Sequence, residues 1–167
     1  ALRDAGMERA EAARAVGIVA STRYGCFETD LAFQATAAAE NGIHASPMLF
    51  SYTLPGIALG EAAIQFRLTG PTFTVGDLPK QRGRRALEIG IDLMAGGGCP
   101  VVVAGWLDAE SRLLQRQADD DDGLRGAVFV VLSAGNRPQR GRRIAQRGSE
   151  LFLESGARLA SILALAE

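Results

Sequence analysis

The sequence predicts an α/β fold, a layered sheet flanked by helices, and three observations predict it. Four short apolar runs, "GIVAST" (17–22), "TFTV" (72–75), "PVVVAGW" (100–106) and "GAVFVVLSAG" (126–135), are rich in β-branched residues and carry little polar alternation. That is the pattern of strands covered on both faces. Between most of them lie segments with apolar residues at helical spacing, and strands alternating with helices imply a layered α/β sheet. No internal repeat or shift of composition divides the 167 residues, so one domain spanning 1–167 is expected.

The elements follow in order. Residues 4–14, "DAGMERAEAAR", have helix-forming composition and end near Gly17. After the first strand, "FETDLAFQATAAAENG" places Leu31, Ala35 and Ala38 at helical spacing and stops at Asn41-Gly42. "ASPMLFSYTLPG" carries two prolines and predicts a structured loop. "GIALGEAAIQFRLTG" (56–70) reads as a helix ended by Gly70-Pro71. Asp77 is placed to cap a helix running from about Lys80 to Met94, with Pro79 in its first turn. Gly96–Gly98 stop that helix and do not form a phosphate loop, because they close a helix and do not open one. "NRPQRGRR" is a basic turn. "GSELFLESGARLASILALAE" reads as a terminal amphipathic helix with Leu151, Leu153, Leu159, Ile162 and Leu165 as its apolar set.

Composition excludes several functions. The net charge of −1 gives no electrostatic support for general nucleic-acid binding. No apolar run approaches the ~20 residues of a membrane span, and no signal peptide is read. A cytoplasmic location is expected, because Cys26 and Cys99 are too few for a disulfide framework. Ala1 in place of Met suggests that a natural start lies upstream. His44 is the only histidine, so a two-His metal site or a Cys-His-His triad cannot be built from this chain alone. No cofactor or metal is expected.

One turn invites a chemical question. The strand at 72–75 runs almost directly into a helix, where a helix N-terminus stabilises negative charge and many enzymes place a nucleophile. Here the turn holds Gly76, Asp77, Leu78, Pro79 and Lys80, with neither Cys nor Ser.

"GIVASTRYGCFETD" followed by "ASPMLFSYTLPGIALGEAAIQFRLTGPTFTV" resembles the β-ketoacyl synthases of the thiolase superfamily. Ser46-Pro47-Met48-Leu49-Phe50 and Leu68-Thr69-Gly70-Pro71 match that family's Ser-Pro-x-x-Phe loop and Leu-x-Gly-Pro helix end in order and spacing. "MAGGGCPVVVAGW" resembles its Gly-x-x-Asp-hydrophobic-Gly-Gly strand, with Pro100 where the Asp would stand. "DDGLRGAVFVVLSAG" resembles a shortened Asp-Gly-Phe segment. The resemblance covers about residues 14–146. It implies a thiolase-like half-fold, layered α/β/α with a mixed sheet, in which the C-terminal half that carries the family's two catalytic histidines is absent. Counting from Gly70-Pro71 places the reactive cysteine at Pro79, or at Leu78 if the register slips by one. Gln81 is near, and chain-length factors carry Gln in place of the cysteine, but its register is two or three residues off.

The resemblance therefore implies a non-condensing, chain-length-factor-type subunit in fatty-acid or polyketide assembly, aryl polyene systems included. Phe66, Phe73, Met94 and Trp106 are its candidate acyl-tunnel residues, with ordinary core packing as the alternative. Arg82, Arg84, Arg85, Arg140, Arg142 and Arg143, with Arg137 beside them, are candidates for docking an acidic acyl carrier protein. The alternative is that these arginines solubilise the chain or pair with Asp119–Asp122, a run read as a solvated loop and not a calcium site. In full-length relatives the strand after the Gly-Pro pair lies beside the dimer interface. A lone half would leave apolar surface over "AVFVVL" and "LASILALAE", so a homodimer or a complex with a true β-ketoacyl synthase is expected. Two other readings stay open: an acyl-transferring or condensing enzyme that uses Cys26, Cys99 or another chain's residues, and a structural remnant with no acyl role.

Overall fold

A computed structural model of the chain describes residues 1–7, 15–109, 125–134 and 141–165, the side chain of Glu40 excepted. Strand β1 (Val16–Thr22) is the spine, and all seven of its residues are buried. It pairs in parallel with β2 (Thr72–Gly76) on one side and with β3 (Val101–Asp108) on the other. Strand β4 (Gly126–Ser133) runs antiparallel to β3. The order β2-β1-β3-β4 is a mixed four-stranded sheet.

Alternation along the strands sends side chains to two separate cores. Val16, Ile18 and Ala20 of β1 and Val103 of β3 pack with Leu59 and Leu68 on one face. Val19, Val102, Ala104 and Trp106 pack with Ala86 and Leu87 on the other. Leu59 belongs to helix α3 (Ile57–Phe66), while Ala86 and Leu87 belong to α4 (Arg84–Ala95). The sheet is thus covered on both faces, which is why its strands read as unbroken apolar runs. The α/β/α layering expected from the sequence is present. At Gly105 a side chain would overlap the ring of Phe129, so the bare backbone lets that ring lie on the strand.

Helices α1 (Phe27–Ala38) and α2 (Pro47–Ser51) precede α3. The expected loop at 45–56 thus contains a short helix. Pro47 takes its first position, and Ser46 Oγ accepts the Leu49 amide at 3.2 Å; both are helix-start signals. Helix α3 ends at Arg67, in the left-handed conformation at φ 56°, and not at Gly70. Gly70 instead lies against the β1 backbone, where a Cβ would sit 2.6 Å from Gly17 N. Residues 2–6 form turns, and 8–14, most of the expected opening helix, lie outside the described residues.

Helix α4 begins at Arg84, four residues later than expected, and Pro79 precedes it. Lys80 (φ 66°), Arg82 (φ 20°) and Gly83 (φ 83°) hold backbone conformations that a right-handed helix does not admit.

The expected terminal helix is absent. Strands β5 (Ile144–Arg147) and β6 (Glu150–Leu153) form an antiparallel hairpin, followed by a 3₁₀ turn at Ile162–Leu165. Gly148, at φ 60°, and Ser149 make a two-residue connection of the type hairpins favour. Gly156, at φ 83°, turns the chain again. The apolar residues were correctly identified but their period was not: Leu151, Leu159 and Ile162 are fully buried, against the α4 face of the sheet. That burial also overturns the expectation of exposed apolar surface over "LASILALAE". Nor is "AVFVVL" laid bare: Val128 to Val131 are half-buried and Leu132 is buried. Among the described residues, Ile43, Met48, Phe50, Leu54, Ile64 and Phe66, with Tyr52 beside them, are large apolar side chains exposed around α2 and α3, and Leu78 is exposed after β2.

Candidate functional site

Three parallel strands end together, and their carboxyl ends frame a small cleft lined by Arg23, Asp77, Leu78, Lys80, Arg82, Trp106 and Asp108. The position follows from topology. From β2 the chain returns across the sheet through α4 to β3, on the opposite side of β1, while α3 packs on the other face. Such switch points leave a crevice at strand ends, where open α/β sheets bind ligands.

Two carboxylates organise the cleft. Asp108, at the end of β3, is buried and accepts from Thr22 Oγ1 at 2.6 Å, Trp106 Nε1 at 2.8 Å, Arg23 N at 3.0 Å and Tyr24 N at 3.2 Å. Thr22 Oγ1 accepts in turn from Gly25 N at 2.9 Å. Asp108 therefore fixes the turn that follows β1. A buried carboxylate is tolerable only with such a set of donors.

Asp77, just past β2, accepts from Ser21 Oγ at 2.8 Å, Gly83 N at 2.7 Å and Leu78 N at 3.1 Å. The expectation that Asp77 caps the next helix is met in altered form. The residue at the cap position is Gly83, which has no side chain to offer, and Asp77 reaches its amide across six residues. The elbow is thus closed on itself.

Of the two positions at which the sequence resemblance places a cysteine, Leu78 lines the cleft and is half exposed, while Pro79 faces solvent. Neither bears a nucleophile. Cys99 lies at the opposite end of the sheet, just before β3, where it is 1% exposed and its thiol donates to the carbonyls of Ala15 and Val101. Cys26 precedes α1. Desolvation by burial, and then the charge of Asp30, push its thiol above the ordinary thiol range, opposite to what a nucleophile requires. His44 is exposed.

Among the tunnel candidates, Trp106, Phe73 and Met94 share the core cluster on the α4 face. Phe66 stands apart at the end of α3, 36% exposed. Among the arginines, Arg82 lines the cleft. Arg84 is 11% exposed and tied to Glu88 at 2.8 Å and to the Ser149 carbonyl. Arg85, Arg142 and Arg143 are exposed, and Arg142 donates to the Ala164 carbonyl at 2.9 Å. Arg137, Arg140 and Asp119–Asp122 lie outside the described residues.

Sequence reasoning missed Ser21, Thr22, Arg23 and Asp108. The one available signal was a carboxylate closing an otherwise apolar strand, "VVVAGWLD".

No protein-family model matches the chain, and no curated protein matches it. Solved structures do. The chain is similar to the ishigamide ketosynthase/chain length factor, with a TM-score of 0.65 and 18% identity over 77% of this chain and 38% of that one. It is similar to the ketosynthase ApeO in complex with its chain length factor ApeC from Xenorhabdus doucetiae, with a TM-score of 0.62 and 17% identity over 79% of this chain and 53% of that one. It is also similar to a β-ketoacyl synthase from Burkholderia phymatum STM815, with a TM-score of 0.61 and 17% identity over 81% of this chain and 40% of that one. The fold is thus the thiolase-like fold of ketosynthases and chain length factors, and the chain spans between 38% and 53% of the structures it matches.

Proposed function

We propose that this ketosynthase-fold chain is a non-condensing subunit of chain-length-factor type that supports fatty-acid or polyketide chain assembly, aryl polyenes among the products. The observation that carries the reading is the elbow. On a scaffold built to present a thiolate at the carboxyl ends of the strands, the position facing the cleft is Leu78. The strands and the helix after them remain, and the sulfur does not.

The reading with a displaced nucleophile gains little from geometry. Cys99 is sealed at the wrong end of the sheet, and the environment of Cys26 disfavours its thiolate. Condensation also needs donors that stabilise the developing oxyanion, and the chain's one histidine is exposed and away from the cleft lining.

The chain acts as a single ketosynthase N-terminal-like domain over 1–167, in the cytoplasm, paired with a true β-ketoacyl synthase or with its own copy. Two features support a partner. Strand β2 is a sheet edge, and the exposed side chains Met48, Phe50, Leu54 and Ile64 form part of the α2–α3 region that precedes it. Apolar groups exposed in such number favour association. Trp106, Phe73 and Met94 would shape the wall met by an acyl chain. Arg85, Arg142 and Arg143 are the exposed arginines left to meet a carrier protein.

Incubation with an acyl carrier thioester, followed by intact-mass measurement, tests the proposal. No acyl adduct is expected on the chain alone, while co-expression with a β-ketoacyl synthase yields a complex with altered product length. Acyl transfer onto Cys26 or Cys99, abolished by its Ser substitution, would replace this reading with the enzymatic one.

A further inference from the structure

Helices α1 and α2 form an apolar arm without a core of its own. α1 is 12 residues long and carries Phe27, Leu31 and Phe33, yet none of its residues is buried, and none of α2 is. α1 packs chiefly on α2 and on the turn that follows it, with the Phe33 and Phe50 rings 5.4 Å apart. Isolated helices shorter than ~12–15 residues are marginal in water, and most helical stability comes from packing an apolar face. The arm finds little of that packing on the sheet.

Its apolar surface continues onto α3. Met48 is 70% exposed, Phe50 60%, Leu54 61% and Ile64 81%. Tyr52, at the end of α2, donates to Glu61 of α3 at 3.1 Å, so the two helices share this surface. Single exposed apolar residues are ordinary, whereas a group of this size marks an interaction site.

Charge says what covers it. The chain holds 18 lysines and arginines, but none falls in residues 27–66, which carry Glu28, Asp30, Glu40 and Glu61; Arg67 ends the stretch. A second copy is a poor match. Placed patch to patch, it sets these carboxylates against their own kind, and like charges across an interface reject a partner. Placed otherwise, it offers the basic Arg142 and Arg143 without apolar surface, because Leu78 is the one other large apolar side chain exposed among the described residues. The acidic rim also disfavours an anionic bilayer.

We propose that the α1–α2–α3 surface docks a segment of a different protein, one whose apolar side chains are flanked by lysines or arginines. The inference rests on the pairing proposed above for the existence of a partner, and it selects a different protein over the chain's own copy. Met48, Phe50 and Ile64 supply the apolar contact, and Glu28, Asp30 and Glu61 meet the basic flanks.

Fluorescence anisotropy of the full chain with labelled synthetic peptides tests this. The probes are an amphipathic leucine–lysine helix, its leucine–glutamate counterpart and a scrambled leucine–lysine sequence. Saturable binding is expected for the first alone, weakening as salt rises. Hydrogen exchange should show α1 and α2 gaining protection in that complex. Met48→Ser with Ile64→Ser should weaken binding about tenfold or more. Glu28→Gln with Glu61→Gln should weaken it several-fold and flatten its salt dependence. Glu154→Gln, exposed and outside this surface, should leave it unchanged. Circular dichroism establishes that each variant is folded, which the exposure of the replaced side chains favours.

Equal binding of the glutamate or scrambled peptide, variants that bind like the wild type, or silence with every probe would overturn the site. So would a dimer in sedimentation velocity that Met48→Ser with Ile64→Ser disperses, since a second copy then fills the surface. Uptake by phosphatidylcholine vesicles, lost in the same variant, would assign it to lipid. No ketosynthase enters these measurements, so a failed complex with that enzyme and a failed peptide site are separate results.

Discussion

Ser21 Oγ donates to Asp77 Oδ2 at 2.8 Å, and the same oxygen receives the Gly83 amide at 2.7 Å. One carboxylate atom thereby joins the end of β1, the end of β2 and the start of α4. Replacing Asp77 with Ala removes all these acceptors at once. The loss of a cap and of a part-buried charge-assisted bond sums to about 2–4 kcal/mol, read as a lower urea midpoint with an unchanged slope. Ser21→Ala should cost about 1 kcal/mol. Because both changes break the same bond, the double variant should be destabilised by less than the sum.

Trp106 is the only tryptophan, and its Nε1 donates to Asp108. Asp108→Asn turns one acceptor oxygen into an NH₂ group among donors that all point inward. The variant should lose about 1.5–3 kcal/mol of stability. Its intrinsic fluorescence should shift in the folded state before any unfolding, since the indole loses its acceptor. An unchanged emission spectrum would show that Asp108 does not hold the ring.

Gly83 has φ 83°, and a Cβ there would sit 2.5 Å from Ile162 Cγ2. Gly83→Ala meets both backbone strain and a clash, so about 2–4 kcal/mol is expected from the two effects together. Ile162→Ala, which empties a fully buried site, should cost about 2–5 kcal/mol. Combined, the pair should fall short of additivity, because removing Ile162 Cγ2 relieves the nearest part of the clash, while the strain and the approach to Ile162 Cβ at 2.7 Å remain. Strict additivity in chemical denaturation would contradict the contact.

The Cys26 thiol titrates above its ordinary range, first because burial disfavours the thiolate and second because Asp30 repels it. At neutral pH it should react with iodoacetamide more slowly than a free thiol, and Asp30→Asn should speed the reaction modestly. The sign of the stability effect follows. The folded state holds this proton more tightly than the unfolded state, so the contribution is fully present below the unfolded pKa and is lost as pH rises through the folded one. Cys26→Ser should flatten that alkaline loss in a pH series of unfolding curves.

Much of this architecture was legible from local pattern. The four buried strands show as apolar runs because both faces of the sheet are covered. The lack of Cys or Ser in the turn after β2 shows directly, because Gly76, Asp77, Leu78, Pro79 and Lys80 stand there. The C-terminal hairpin was illegible for a specific reason. Leu151, Leu153, Leu159 and Ile162 satisfy a helical spacing as readily as a strand-and-turn path, and the choice was made by Gly148 and Gly156 adopting positive φ. The start of α4 was misplaced because nothing local announces that Lys80 and Arg82 would be held left-handed.

The four strands of the main sheet and the absence of sulfur at the turn after β2 were written in the sequence alone, since each depends on residue type and short-range period. The tertiary structure decided the cleft. Ser21 meets Asp77 across 56 residues and Thr22 meets Asp108 across 86, and no periodicity reaches that far. Only the parallel pairing of β1 with both β2 and β3 brings three strand ends, two carboxylates and three cations to one place. The energy of a buried charge depends on donors that arrive from elsewhere in the chain.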